Sequence, residues 1–310
     1  MTAERIPMDH EDLRRRARTL RDLAEPIGAN VYFAPEAWDA YAEHGLPRPA
    51  PPADPAARRP IQGAAYFASR GACLGQAPGE VIAAAFGVFK PAVVTAAIDA
   101  AWAVTDAPTL LAARERGAVA SLVRIFGDDA AISAAVPRAT ELLRRALDAA
   151  PPGEGRALYS GLRSLGFPGT SIGDLWRACD LLREHRGDSH IIAWVGYGLS
   201  PVEASISTEL WWRMPLRPYT QTRGWSDDEI EVAIDRFRSA GYVDGEELTA
   251  AGEAMRGEIE ATTDRQERTI IEALGDDADE LFASLTPMTE AVVAAKGYPA
   301  DPRTRTRYDQ

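Results

Sequence analysis

The feature that most restricts the fold of this chain is the order of its helix starts and stops between Ser171 and Leu274. Ser200–Pro201–Val202–Glu203 combines an N-capping serine, a proline in the first turn and a glutamate that closes a capping box. Ser226–Asp227–Asp228–Glu229 repeats the signal, and Ile230, Ala233, Ile234 and Phe237 lay a buried stripe behind it up to Gly241. Tyr242–Val243–Asp244–Gly245–Glu246–Glu247–Leu248 reads as strand, tight turn and strand, and Thr249 caps a helix predicted to run to about Leu274. Upstream, Ser171 with Asp174 starts a helix whose apolar face is Ile172, Leu175, Cys179 and Leu182. Gly187 stands where a left-handed cap would end it. Helix, helix, helix, two-stranded wing, helix is the order of a winged helix-turn-helix.

The rest of the chain is also helical in pattern. Its 310 residues are 46% apolar, enough to bury a sizeable core in one large or two medium domains. His10–Leu23 is a charged helix, and Pro35 opens an aromatic run through Trp38 and Tyr41 to Gly45. Six of the fifteen residues from Leu46 to Pro60 are proline, which predicts a stiff, poorly ordered connector. From Ile61 to Ala150 the pattern is alanine-rich, with helix stops near Gly75, Lys90–Pro91, Asp106–Pro108, Gly127 and Pro137. Alternation is too weak there for a sheet. Pro151–Pro152–Gly153 marks a second boundary. The expected fold class is mainly α. An all-helical domain covers residues 1–150, with the Pro-rich connector at 46–60. A winged-helix-like domain with one short β-hairpin covers 151–296, and a flexible tail covers 297–310.

Two cysteines far apart, Cys73 and Cys179, form no framework and fit a reducing compartment. The first 25 residues have no apolar stretch of signal-peptide type. Val81–Trp102 is interrupted by Gly87, Lys90, Pro91 and Asp99, so it reads as buried helix and not as a membrane span. A cytoplasmic protein with no membrane partner is expected.

The phrase RFRSAGYVDGEELTAAGEAMRGEIEATTDR resembles the end of winged helix-turn-helix modules in MarR-like regulators, where the recognition helix runs into a wing closed by Leu248, Thr249 and Gly252. The phrases NVYFAPEAWDAY, AYFASRGACLG, LLREHRGDSH and QTRGWSDDEI, in this order, resemble an actinobacterial helix-turn-helix family over roughly Leu20 to Val293. The resemblance implies a mostly helical intracellular protein with a winged-helix-like C-terminal part and no settled activity. Cys73 stands where the family phrase has a proline, and the proline-rich insert is longer than usual.

Charge argues against the reading that this order suggests. The chain carries −12 overall; residues 201–310 hold 23 acids and 12 bases, a balance of −11. Asp227, Asp228, Glu229, Glu231 and Asp235 face Arg236 and Arg238 on the helix that would enter DNA, and the wing adds three acids and no base. DNA affinity comes largely from neutralising phosphates with Lys and Arg. This layout sets DNA aside as a partner, with Arg213, Arg217 and Arg223 as the remaining basic spot.

The densest polar phrase is Glu184–His185–Arg186–Gly187–Asp188–Ser189–His190. In one continuous helix the two histidines point about 140° apart. If Gly187 breaks the helix, Asp188 caps the next one and both histidines meet at a joint. His185 or His190 then acts as general base oriented by Asp188, and Arg186 holds an anionic substrate. The plainer interpretation is a satisfied helix cap. Tyr32, Glu36, Trp38, Tyr66 and Arg70 suggest an aromatic-walled pocket with two polar contacts, against a plain aromatic core. Arg223 and Trp225 suggest a cleft lining, although Trp225 before Ser226 also fits a hydrophobic staple.

Phosphate-loop and GxSxG signatures are absent. No cofactor is evident; a haem or metal on His185 and His190 is left open, but the spacing is not HExxH and no metal site is assigned. The expected function is binding of a small aromatic or anionic organic molecule, with His-based acid/base chemistry on it as an extension. The alternatives are a MarR-like DNA-binding transcriptional regulator and a structural or dimerisation protein, a homodimer being open in each case.

Overall fold

A computed structural model describes residues 9–48, 63–151 and 153–301. Most of the proline-rich connector and the end of the expected tail therefore lie outside the described residues.

The helices are α1 (His10–Ala29), α2 (Pro35–Ala42), α3 (Ala64–Gly71), α4 (Gly79–Phe86), α5 (Pro91–Trp102), α6 (Ala107–Phe126), α7 (Ala130–Asp148) and α8 (Ala157–Ser164). They continue as α9 (Ser171–Gly196), α10 (Pro201–Trp211), α11 (Pro218–Gln221) and α12 (Asp227–Ser239). After the strands β1 (Val243–Asp244) and β2 (Glu247–Leu248) come α13 (Ala250–Arg265), α14 (Arg268–Leu274) and α15 (Ala278–Ala294). Among the described residues the only sheet is the antiparallel pair β1–β2, with Val243 opposite Leu248 and Asp244 opposite Glu247.

The local start signals hold. Ser200 and Glu203, and Ser226 and Glu229, close complete capping boxes, and Thr249 accepts from the Gly252 amide. Gly252 is needed for a second reason: a Cβ there would sit 2.1 Å from the Tyr242 carbonyl oxygen. Thr249 also donates through its amide to that same carbonyl, at 3.0 Å, so the hairpin is closed on the helix it precedes.

Several stops fail. Pro137 lies inside α7, where Ile132, Val136, Ala139, Leu143 and Leu147 bury a continuous stripe. That burial outweighs the roughly 3 kcal/mol that an internal proline costs. Gly187 lies inside α9, which runs unbroken for 26 residues. The helix expected to reach Leu274 instead turns at Gln266 and Glu267. The Gln266 side chain donates through Nε2 to the Ser189 carbonyl at 2.9 Å, and Glu267 turns in to His185.

Two apolar cores result. The first gathers α1 to α8, the first half of α9, α14 and α15. The second holds the end of α9 with α10, α12, β1 and α13. This division does not follow the expected boundary at residue 150, because α9 belongs to both cores and the last two helices return to the first. Nor does a loose tail begin at residue 297: Tyr298 is buried against Phe33, and Asn30 donates to the Gly297 carbonyl at 3.2 Å.

Helices of the first core touch backbone to backbone at glycines. A Cβ on Gly117 of α6 would stand 2.3 Å from the Ala37 Cα of α2. Gly117→Ala must push α2 away and is expected to lower stability by about 2 kcal/mol. Urea unfolding should show an earlier midpoint at unchanged slope; an unshifted midpoint contradicts this packing.

Candidate functional site

Because α9 does not break, Arg183, Arg186, Gly187, His190, Ile191 and Trp194 share one face at helical spacing. That face borders a cavity of about 670 Å³ between the two cores, in the range of small-molecule sites. Tyr66 and Arg70 of α3 and Phe86 of α4 close one side, while Tyr219, Arg223 and Arg256 close the other.

On the first-core side, Arg70 clasps Glu184 in a fork, with Nε at 2.9 Å and Nη2 at 2.8 Å from the two carboxylate oxygens. Arg183 adds a third bond to Glu184 at 2.6 Å and reaches Glu25 at 3.3 Å. Burial alone would raise the Glu184 carboxyl, but Arg70 and Arg183 overrule it and hold the group down at about 2. Opposite, Arg186 pairs with Asp264 at 2.7 Å, and Arg256 pairs with Glu260 at 2.6 Å. Glu260 is likewise held at about 2, its burial outweighed by Arg256.

His190 Nδ1 lies 3.1 Å from Thr263 Oγ1, whose own hydroxyl proton goes to the Ile259 carbonyl. The network therefore assigns the proton to His190 Nδ1. Lost hydration and the positive charge of Arg256 push the imidazole down to about 3, so it is neutral at physiological pH. Arg223 differs from the other arginines. Its guanidinium stands 4.7 Å from the Phe89 ring centre and 4.2 Å from that of Tyr219, with no carboxylate partner among the described residues.

The sequence-derived site is thus brought together in part. Tyr66, Arg70, Arg186, His190 and Arg223 line one cavity. His185 is fully buried on another face, with Nδ1 2.8 Å from Glu267 and its ring edge-on to Tyr159. Asp188 accepts from the Tyr159 amide at 3.0 Å and orients neither histidine. The histidine joint therefore does not exist, since it required the break at Gly187. Tyr32 lies below the cavity and receives Arg114 on its hydroxyl at 2.8 Å. Glu36 pairs with Arg124 at the surface, and Trp38 donates to the Tyr32 carbonyl at 3.2 Å. Trp225 packs on the second core and donates to the Val88 carbonyl at 3.0 Å. Among the described residues no three His, Cys, Asp or Glu side chains gather as a metal site. Arg183, Trp194, Tyr219 and Arg256 also line the cavity and are not among the sequence-derived site residues. The spacing of Arg183, Arg186, His190 and Trp194 marks the α9 face once the helix is continued through Gly187.

The chain matches the helix-turn-helix family over residues 17–299. It belongs to that family. No curated protein and no solved structure matches it. Family membership overturns the expectation that DNA is not a partner, and the structure shows that the charge count treated internal and paired carboxylates as if they all faced solvent, although Asp227, Asp228, Asp244, Glu246 and Glu247 do stay exposed. Many acids of residues 201–310 are consumed inside the protein. Glu209 accepts the amides of Arg217, Tyr219 and Thr220. Glu260, Asp264 and Glu267 serve Arg256, Arg186 and His185. On α12, Glu231 is neutralised by Arg217 and Arg238, Asp235 by Arg238 and Glu229 by Lys90. Among the described residues no helix is long and apolar enough to cross a membrane.

Asp188 supplies a pH test of this interior. Burial lifts its carboxyl to about 7, so the fold prefers the protonated form more strongly than the unfolded chain does. Its contribution is full below about pH 4 and is lost as pH rises to about 7. Asp188→Asn keeps an acceptor for the Tyr159 amide and removes the charge. The variant should match the parent near pH 4 and exceed it by on the order of 2 kcal/mol at pH 8. Glu184 and Glu260 act with the opposite sign, losing stability only as pH falls below about 4.5. Thermal unfolding of both proteins across pH 4–8 checks the difference; a constant offset would contradict the raised Asp188.

Proposed function

We propose that the protein is a DNA-binding regulator of winged-helix type, with α12 as the helix presented to the duplex and β1–β2 as its wing. The observation that carries this reading is the helix-turn-helix family match together with the order α10, α11, α12, hairpin, α13. On the outer face of α12, Val232 is 55% exposed beside Arg236, an apolar contact of the kind that meets a thymine methyl. Arg213 and Arg236 are exposed and without a carboxylate partner among the described residues, so they are the groups free to meet phosphates. A regulator of this kind works in the cytoplasm, where the DNA is.

The inter-core cavity is its sensor. The segment leading into α12 is tied to the first core at three points. The Lys90 amide donates to the Arg223 carbonyl at 2.9 Å, and Lys90 Nζ reaches Glu229 at 2.8 Å. Trp225 donates to the Val88 carbonyl. A small molecule between the cores therefore acts on the same segment that orients α12. This retains small-molecule binding as the second half of the function and gives the histidines no catalytic role.

Selection from a random duplex pool at low salt should recover a preferred sequence. With two unpaired arginines at the interface, the log of the binding constant should fall against log salt with a slope of about −2. Replacing both Arg213 and Arg236 with alanine should bring that slope near zero. A pool with no enriched sequence at about 50 mM salt overturns the reading.

A further inference from the structure

The buried polar atoms without partners around the cavity are all donors. Arg186 Nη1, Trp194 Nε1, Arg223 Nε and Arg256 Nε have no acceptor among the described residues, and no cavity-lining oxygen there is left in that state. Leaving a buried donor unmade is unfavourable, so a fitting occupant brings acceptors and no competing donors. Five of the six arginines on the wall already face a carboxylate: Arg21 meets Asp22, Arg70 and Arg183 meet Glu184, Arg186 meets Asp264 and Arg256 meets Glu260. Among the described residues the Arg223 guanidinium instead lies against two aromatic rings, Phe89 and Tyr219. Stacking fixes the plane of the guanidinium and leaves its edge for a forked acceptor.

Part of the apolar wall is aromatic, among aliphatic residues such as Leu20, Leu182 and Ile191. Tyr66, Phe86 and Phe89 are mutual neighbours, with ring centres 6.0 to 6.4 Å apart. Trp194 lines the cavity from α9. Planar rings pack on such a surface in offset or edge-to-face fashion.

We propose that the cavity binds a planar aromatic carboxylate, its anion forked on the Arg223 guanidinium and its rings against Tyr66, Phe86, Phe89 and Trp194. His190, neutral and bonded to Thr263, brings no charge to the cavity that would compete with Arg223 for the anion. Use of this site as a sensor rests on the regulator reading, but binding is measured on the protein without DNA, so the two fail separately.

The probe is 2-naphthoate, with 2-naphthamide as its uncharged counterpart, titrated into the full chain by calorimetry. The acid should bind at least about tenfold more tightly than the amide, as expected for a charge-assisted fork. Arg223→Met should abolish that preference, whereas Arg138→Met, at a surface pair with Glu280 far from the cavity lining, should leave it intact. Arg223→Lys keeps the charge but not the fork and should show an intermediate preference, which covers the case of a poorly folding methionine variant. Equal binding of acid and amide to the unmodified chain overturns the proposal. So does no acid binding up to about 5 mM, or a preference that stays undiminished in both Arg223 variants.

Discussion

Burial of α9 imposes the condition on which the other helices depend. The helix carries charges around its whole circumference and yet runs through the middle of the protein. An unpaired charge there is penalised by several kcal/mol, so each one must meet a partner from a different element. Asp174 meets Arg144 of α7, Asp180 meets Arg114 of α6, and Glu184 meets Arg70 of α3. Arg183 meets Glu25 of α1, Arg186 meets Asp264 of α13, and His185 meets Glu267 before α14. Apolar packing alone tolerates sliding between helices. A set of fixed pairs on six neighbours defines one register for all of them.

The same condition produces the cavity. Where α9 leaves the first core for the second, its face carries Arg183, Arg186, Gly187 and His190 in place of apolar residues. Large arginines tethered to acids on either side hold the two cores apart, and Gly187 leaves the space beside them unfilled. The wall closest to α12 is made by the short stretch around Arg223, itself strapped to the loop at Val88–Lys90. The cavity wall and α12 are therefore joined through a few residues of backbone.

The charge of the C-terminal third shows the limit of counting. A sum over residues treats every carboxylate as if it faced solvent, whereas Glu209, Glu260, Asp264 and Glu267 lie inside, bonded to amides, arginines and a histidine. On α12, ion pairs take up Glu229, Glu231 and Asp235, Asp227 and Asp228 stay exposed, and Arg236 has no carboxylate partner among the described residues.

Features that depend on neighbours three or four residues apart are legible in the chain before it folds. The capping boxes at Ser200 and Ser226, the turn at Gly245, the cap at Thr249 and the stripe of α12 are all of this kind, since both partners lie within one turn of chain. The likeness to a helix-turn-helix family rested on the same local phrases. Tertiary structure alone decided that α9 passes through Gly187 and that His185 and His190 part company. It also decided that Arg70 and Glu184, 114 residues apart, share one fork. A glycine is only a weak local stop, worth about 1 kcal/mol, and burial along both sides of α9 exceeds it. Which arginine stays unpaired depends on where every acid ends up, and that is a property of the whole packing and not of any stretch of sequence.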